Sequence, residues 1–127
     1  MVKKILKQRA FTMIELMVVM AMIATIIAIA MPRYFDGLER AKETALRQNL
    51  KEMREAIGHY FEDKGQYPAS LESLVNERYL RFIPVDPITE SPDTWQVIKL
   101  SQSQNGVYDV TSGAEETAKD GTPYSSW

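Results

Sequence analysis

The stretch RAFTMIELMVVMAMIATIIAIAMP, residues 9–32, decides the fold of this chain. Its apolar part, residues 11–31, is long enough as a helix to cover roughly 30 Å, the thickness of the hydrocarbon core of a bilayer. The one charged residue in that part is Glu15. A carboxylate inside a transmembrane helix costs about 2.5–3.5 kcal/mol when it is central, and less near an end. A plain membrane anchor therefore explains the length of the segment but not its glutamate.

Charge is distributed unevenly along the chain. The first nine residues contain four basic side chains and no acid: Lys3, Lys4, Lys7 and Arg9. From position 11 onward, 11 basic residues stand against 17 acidic ones, a net charge of −6. Basic residues before an apolar segment predict a cytoplasmic N-terminus, with the acidic part across the membrane. That acidic part disfavours nucleic-acid binding. The absence of cysteine excludes disulfides, thiolate metal sites and cysteine nucleophiles.

Two observations bear on how the apolar segment is used. An ordinary secretory signal has an apolar region of about 7–15 residues and a small-x-small cleavage site, whereas this segment is longer and ends in Met31-Pro32. Glu15 also needs a cationic partner, and the rest of the segment has none. A cut before Phe11 would create an α-amine about one helical turn from Glu15. In a stack of parallel copies, the amine of one copy could meet the Glu15 of its neighbour.

A short basic leader, then Ala10-Phe11-Thr12-Met13-Ile14-Glu15-Leu16 and a long apolar helix, resembles the class III signal of type IV pilins and type II secretion pseudopilins. The resemblance implies that prepilin peptidase cuts between Ala10 and Phe11 and N-methylates Phe11. It also implies that Glu15 is the assembly carboxylate and that Pro32 kinks the helix. The family nearly always has glycine at the position of Ala10, and alanine is its smallest substitute.

Beyond Pro32, the pattern favours an amphipathic continuation of the helix over residues 32–65. Apolar residues recur mostly three or four positions apart, at Leu38, Ala41, Ala45, Leu46, Leu50, Met53, Ile57, Tyr60 and Phe61. Gly65 is the expected stop, so one helix should run from Phe11 to about Lys64. The only histidine, His59, is expected to be a surface or packing residue. No catalytic arrangement, metal-ligand spacing or phosphate-binding loop accompanies it, so the sequence does not indicate an enzyme.

Residues 66–87 predict a short helix between prolines, with Ser70 as its N-cap and Glu72 in its first turn. Four apolar residues should face the long helix: Leu71, Leu74, Val75 and Leu80. The order Gly65-x-Tyr67-Pro68, short helix and Ile83-Pro84-x-Asp86-Pro87 resembles the major pseudopilin branch of the family. The Trp-Gly-Asn-Pro that typically follows in that branch is absent.

Two strands are predicted next, at 95–100 and 107–111, because both stretches are rich in β-branched and aromatic residues. In the first, apolar residues alternate with others at Trp95 and Val97, and Leu100 ends the stretch. Asn105-Gly106 is a hairpin turn signal between the two strands. A two-stranded hairpin is marginal alone, so it should pack on a helix face, with at most one further strand.

The last segment, TSGAEETAKDGTPYSSW at 111–127, leaves two interpretations open. Ser112-Gly113-Ala114-Glu115 resembles the Ser-x-Gly-Ala-Asp with which major pseudopilins bind calcium, and Asp120 falls near their later acidic ligand. The resemblance thus implies a calcium site at Glu115 and Asp120. The alternative is a solvated acidic loop that Tyr124 and Trp127 hold against the head.

Taken together, these features predict an α+β, pilin-like lollipop with a long N-terminal helix and a small C-terminal antiparallel sheet. The expected organisation is a leader at 1–10, a transmembrane and assembly helix at 11–31, its amphipathic continuation at 32–65 and a periplasmic head at 66–127. The resemblance implies a homo-oligomeric filament subunit that is inserted in the inner membrane. Its partners would be prepilin peptidase, an inner-membrane assembly platform, and minor pseudopilins or pilins.

Three functions remain open on the sequence. The first is a subunit of the periplasmic filament of type II secretion, favoured by the absent cysteine, the short head and residues 83–87. The second is a pilin of a surface type IV pilus that serves adhesion, motility or DNA uptake. The third, from another class, is a single-pass anchor for a periplasmic binding module, which would need neither cleavage nor Glu15.

Overall fold

The computed structural model describes residues 10–101 and 104–127, and the predicted basic leader at 1–9 lies outside the described residues. Its elements are α1 (Met13–Lys64), α2 (Leu71–Asn76), β1 (Gln96–Ser101), β2 (Gln104–Thr111) and a 3₁₀ turn at Tyr124–Ser126. The chain divides into two compact units, one ending at Leu38 and the other comprising Glu39–Trp127. The predicted α+β fold, a long helix followed by a small antiparallel sheet, is confirmed.

Helix α1 begins and ends on local signals. Thr12 precedes it, and the Thr12 hydroxyl accepts a hydrogen bond from the Glu15 amide at 3.1 Å. At the other end the Gly65 amide donates to the Phe61 carbonyl at 2.8 Å. Gly65 has a φ of +69°, a left-handed conformation in which glycine carries no steric penalty. The predicted stop at Gly65 is therefore confirmed.

One face of α1 in the second unit forms half of the core. Its buried residues are Leu46, Leu50, Met53, Ala56, Ile57 and Tyr60. They recur three or four positions apart, as an amphipathic helix requires. Full burial of side chains such as Leu46 or Leu50 contributes about 1.5–3 kcal/mol each. Of the predicted apolar set, Leu38, Ala41, Ala45 and Phe61 are exposed instead.

Helix α2 closes one side of this core. The Ser70 hydroxyl accepts a hydrogen bond from the Ser73 amide at 3.3 Å, so Ser70 is the N-cap that the sequence predicts. Leu71 and Leu74 are buried in the same cluster as the α1 residues, and Leu80 packs against that cluster. The cap and the apolar spacing together hold a helix of only six residues against α1.

Strands β1 and β2 pair antiparallel, with Gln96 opposite Thr111 and Ser101 opposite Gln104. Asn105 and Gly106 lie inside β2, so the predicted turn at these residues is wrong. Gly106 instead allows β2 to approach Tyr67 closely, because a Cβ at this position would lie 2.6 Å from the Cβ of Tyr67. Strand β1 is exposed along its whole length. Val97 and Leu100 are therefore at the surface, while Trp95, just before β1, is buried.

The segment between α2 and β1 is held by buried polar contacts. Trp95 Nε1 donates to the Pro84 carbonyl at 2.7 Å. Asp86 is completely buried, and its Oδ2 accepts from the equally buried Ser112 hydroxyl at 2.5 Å. Its Oδ1 accepts from the Ile88 amide at 2.9 Å. Buried polar groups must be paired in this way, and here the pairing joins the 83–91 segment to the C-terminal segment.

Candidate assembly site

The predicted cleavage and assembly residues lie at the start of α1. Ala10 and Phe11 precede the helix and are exposed, Phe11 to 79%. Glu15 is the third residue of α1 and is exposed as well. Its amide is bonded to Thr12, so the carboxylate lies in the capped first turn, where the positive end of the helix dipole favours an anion. A new amine at Phe11 would therefore lie at the same helix end as the Glu15 carboxylate.

The rest of the predicted assembly segment is an apolar helix whose side chains are exposed. Every residue from 10 to 41 is exposed in the isolated chain. The exposed side chains in this part include Met13, Ile14, Met17, Met20, Ile26, Ile29 and Met31, each more than half exposed. Among the described residues, α1 is the one helix long and apolar enough to cross a membrane. An apolar surface of this extent requires lipid or other protein copies around it.

Pro32 lies within α1, and the helix continues through it. Because proline has no backbone N–H, the bond that this position would give to the Ala28 carbonyl is missing. Thr25, by contrast, is satisfied within the helix, since its hydroxyl donates to the Ala21 carbonyl at 2.8 Å. The missing bond makes position 32 a weak point of the helix, and the kink there stays a prediction.

The C-terminal segment is held against α1 of the second unit by Arg54. Its Nε donates to Asp109 Oδ1 at 2.8 Å, and its Nη2 donates to the backbone oxygens of Val110 and Trp127 at 3.1 and 2.5 Å. The guanidinium of Arg47 lies 4.2 Å from the centre of the Trp127 ring, a cation–π contact. These contacts agree with the alternative in which Trp127 holds the last loop to the head.

Tyr124 provides the second attachment of this segment. Its ring is buried, and its hydroxyl donates to Glu43 Oε1 at 3.0 Å. Burial, together with the neighbouring Glu43 carboxylate, raises the pKa of Tyr124 to about 12. The amide of Lys119 donates to the same Glu43 oxygen at 3.3 Å. One carboxylate of α1 thus binds the C-terminal loop at two points.

The predicted calcium ligands, Glu115 and Asp120, lie in an exposed part of the C-terminal loop. Within residues 10–101 and 104–127, no group of three or more His, Asp or Glu side chains could hold a metal ion. Glu115 is exposed. Asp120 Oδ1 instead accepts from the amide and hydroxyl of Thr122, at 2.9 and 2.5 Å, and these bonds lower the pKa of Asp120. Calcium takes about six to eight oxygen ligands, backbone carbonyls among them, so calcium binding at Glu115 and Asp120 stays a prediction.

Three features of the structure were not predicted from the sequence. Arg54 and the Asp86–Ser112 pair act over long sequence separations and leave no local signal. Thr12 did leave one, because Thr12-x-x-Glu15 has the spacing of a capping box.

Comparisons with known proteins agree with this geometry. Residues 5–31 match the prokaryotic N-terminal methylation motif. The fimbrial protein EcpC of Eikenella corrodens is 30% identical over 120 residues, which cover 91% of this chain and 78% of that protein. The type II secretion system core protein G of Escherichia coli (strain K12) is 26% identical over 128 residues, which cover 87% of this chain and 83% of that protein. The core protein G of Pseudomonas aeruginosa is 30% identical over 97 residues, which cover 64% of this chain and 68% of that protein. No solved structure matches the chain.

The methylation motif covers the segment in which the structure places an exposed apolar helix and a carboxylate in its capped first turn. The match to the fimbrial protein covers 91% of the chain, so it includes most of the head. Pilins and pseudopilins are structural proteins, not enzymes, and their motif is that of an inner-membrane prepilin that later enters a filament. The chain belongs to the family of type IV pilins and type II secretion pseudopilins.

Proposed function

We propose that this chain is a pseudopilin, a structural subunit of the periplasmic filament of a type II protein secretion system. Prepilin peptidase cuts it between Ala10 and Phe11 and methylates the new amine of Phe11. The processed chain stays in the inner membrane with its head in the periplasm. An assembly platform then extracts it into a filament, with Glu15 neutralised by the Phe11 amine of a neighbouring copy. Minor pseudopilins are its other partners.

The main support for polymerisation is the exposed apolar half of α1 with its single carboxylate. Each copy presents residues 11–31 without cover, and the carboxylate of Glu15 lies beside the place where cleavage would create a cation. Lipid covers the apolar surface before assembly, and neighbouring copies cover it afterwards. A lone anchor would satisfy the apolar residues but not the glutamate.

The secretion branch is supported by the two core G proteins. One of them aligns over 87% of this chain and 83% of its own length, so the similarity includes the head. The head also contains the Ile83–Pro87 stretch typical of major pseudopilins, in which Asp86 is the buried partner of Ser112. The chain has no cysteine with which to close its last loop, and Arg54 and Glu43 hold that loop instead.

A pilin of a surface type IV pilus is the second candidate. The match to the fimbrial protein EcpC favours it, at 30% identity over 91% of this chain. The two branches share the processing motif, the apolar helix and the assembly carboxylate. Because these features are common to both branches, the test compares the cellular roles.

The test is a strain that lacks the gene. We expect it to lose secreted proteins from the medium while it keeps its surface filaments, counted by electron microscopy. Loss of filaments with normal secretion would instead assign the chain to a surface pilus. Complementation with the wild-type gene controls for effects on neighbouring genes.

The role of Glu15 has its own test in the complemented strain. Glu15→Ala should insert in the membrane at a normal level but fail to polymerise. Thr25→Ala is the matched control, since Thr25 is polar, lies in the same segment and is bonded only within its own helix. Filaments formed normally by Glu15→Ala would refute the assembly role. An intact mass equal to that of the unprocessed chain, in cells with active peptidase, would refute cleavage at Ala10.

A further inference from the structure

The exposed side of α1 in the second unit carries two parallel stripes of opposite charge. The basic stripe consists of Arg40, Arg47, Lys51 and Arg54. The acidic stripe consists of Glu52, Glu55 and Glu62, with His59 between the last two. Members of each stripe are three, four or seven residues apart, so they share one helix face. At 3.6 residues per turn the two stripes lie roughly 90° apart around the axis, and both point away from the core.

Contacts within the chain leave most of this charge available. Lys51 and Glu55, one from each stripe, are 3.8 Å apart, and their side chains are 67% and 59% exposed. His59 and Glu62 are 3.4 Å apart and similarly exposed. Exposed pairs of this kind contribute only about 0.2–1 kcal/mol, so a better partner can replace them. Two basic residues differ: the guanidinium of Arg54 is engaged by Asp109 and the C-terminal backbone, and that of Arg47 lies over the Trp127 ring.

The surface beside the basic stripe is concave. A cleft of about 590 Å³ is lined by three basic residues, Arg47, Lys51 and Arg54, and by one acidic residue, Glu55, and Leu50 and Trp127 contribute its apolar lining. A second, smaller groove of about 370 Å³ lies beside the acidic stripe and includes Glu52, Glu55 and His59. Arg81 also lines this second groove and is its one countercharge.

We propose that the acidic stripe of one copy docks against the basic stripe of the next copy in the filament. This inference rests on the proposed function. Residues 11–127 carry a net charge of −6, so identical heads repel one another unless oppositely charged surfaces meet. The two stripes are different surfaces of the same chain, so the contact is heterologous. A contact of that kind does not close on itself and propagates along a helical assembly.

Charge reversal tests the contact in cells that contain the peptidase and the assembly machinery. The basic-stripe variant is Arg40→Glu with Lys51→Glu, and the acidic-stripe variant is Glu52→Lys with Glu62→Lys. Each should lower the fraction of the chain recovered in filaments pelleted after detergent lysis of the cells at least about tenfold, because like charges then face one another. The variant with all four changes exchanges the two stripes and should restore polymerisation.

Glu72→Lys with Asp93→Lys is the matched control for the acidic-stripe variant, since it makes the same change in net charge at exposed positions outside both stripes. It should polymerise like the wild type. Reversals without effect, or a fourfold variant that stays as defective as the twofold ones, would overturn the docking proposal. In both cases normal wild-type filaments would leave the proposed function standing. A wild-type chain that never enters pelletable filaments would refute the proposed function itself.

Discussion

Removal of the Asp86 carboxylate is the sharpest perturbation of the head that the structure offers. The side chain is completely buried and accepts from the Ser112 hydroxyl at 2.5 Å and the Ile88 amide at 2.9 Å. The Ser112 hydroxyl in turn accepts from the Ala114 amide at 3.1 Å. Asp86→Ala would therefore remove the side-chain hydrogen bond that joins the 83–91 segment to the C-terminal segment.

The magnitude follows from the groups that the change leaves behind. Hydrogen bonds to a charged group contribute about 1.5–3 kcal/mol each, and a buried donor without a partner costs about 1–3 kcal/mol. The change removes two such bonds, but it also removes the free-energy cost of burying one carboxylate. We expect Asp86→Ala to lower the free energy of unfolding by about 3 kcal/mol or more. Asp86→Asn keeps the shape and one carbonyl acceptor, so its loss should be smaller.

The assay is urea unfolding of residues 39–127, which contain every residue of the hydrophobic core. Asp93→Ala is the control, because Asp93 is exposed and nearby in sequence. It should change the free energy of unfolding by less than about 0.5 kcal/mol. If Asp86→Ala unfolds at the same urea concentration as Asp93→Ala, the buried pair does not stabilise the head and the reasoning fails.

Three further outcomes can be checked on the same fragment. Gly113→Ala should destabilise it strongly, because the new Cβ would collide with the Thr94 carbonyl, whereas Gly58→Ala meets open space on α1 and should stabilise it by about 0.5–1 kcal/mol. Tyr124 has a folded pKa of about 12 against 10.0 unfolded, so its contribution is fully present below pH 10 and is lost between pH 10 and 12. In urea titrations across that range, the free energy of unfolding should depend less on pH for Tyr124→Phe than for the wild type. An equal dependence in the two proteins would contradict this. Calcium tests the site predicted at Glu115 and Asp120: an ion bound at a hundredfold excess over Kd would add about 2.7 kcal/mol, and a melting temperature that calcium and chelator leave unchanged would refute the site.

The helices could be predicted because their signals are local. The start of α2 follows from the side chain of Ser70, and the end of α1 from the left-handed Gly65. The buried face of α1 follows from apolar spacing. These features depend on residues within a turn or two of one another, which a sequence displays directly.

The hairpin and the polar contacts of the head could not be predicted in the same way. Asn105-Gly106 is a turn signal on local grounds, but Gly106 is needed where β2 passes the backbone of Tyr67. The amide of Val107 then donates to the Pro68 carbonyl at 2.7 Å, which fixes β2 against the segment before α2. That contact joins residues almost 40 positions apart, so no short window of sequence reveals it. Tertiary contact decides the position of the strand and overrides the turn propensity.

The structure also changes the energetic argument about Glu15. Because α1 begins at Met13 and Thr12 caps it, the carboxylate lies in the first helical turn. An anion there gains about 0.3–1 kcal/mol from the helix dipole, whereas a central carboxylate costs about 2.5–3.5 kcal/mol and a terminal one less. The helix end thus offsets part of the penalty of membrane insertion but leaves a remainder. A cation from a neighbouring copy would remove that remainder on assembly and would give polymerisation an electrostatic advantage over the membrane-inserted state.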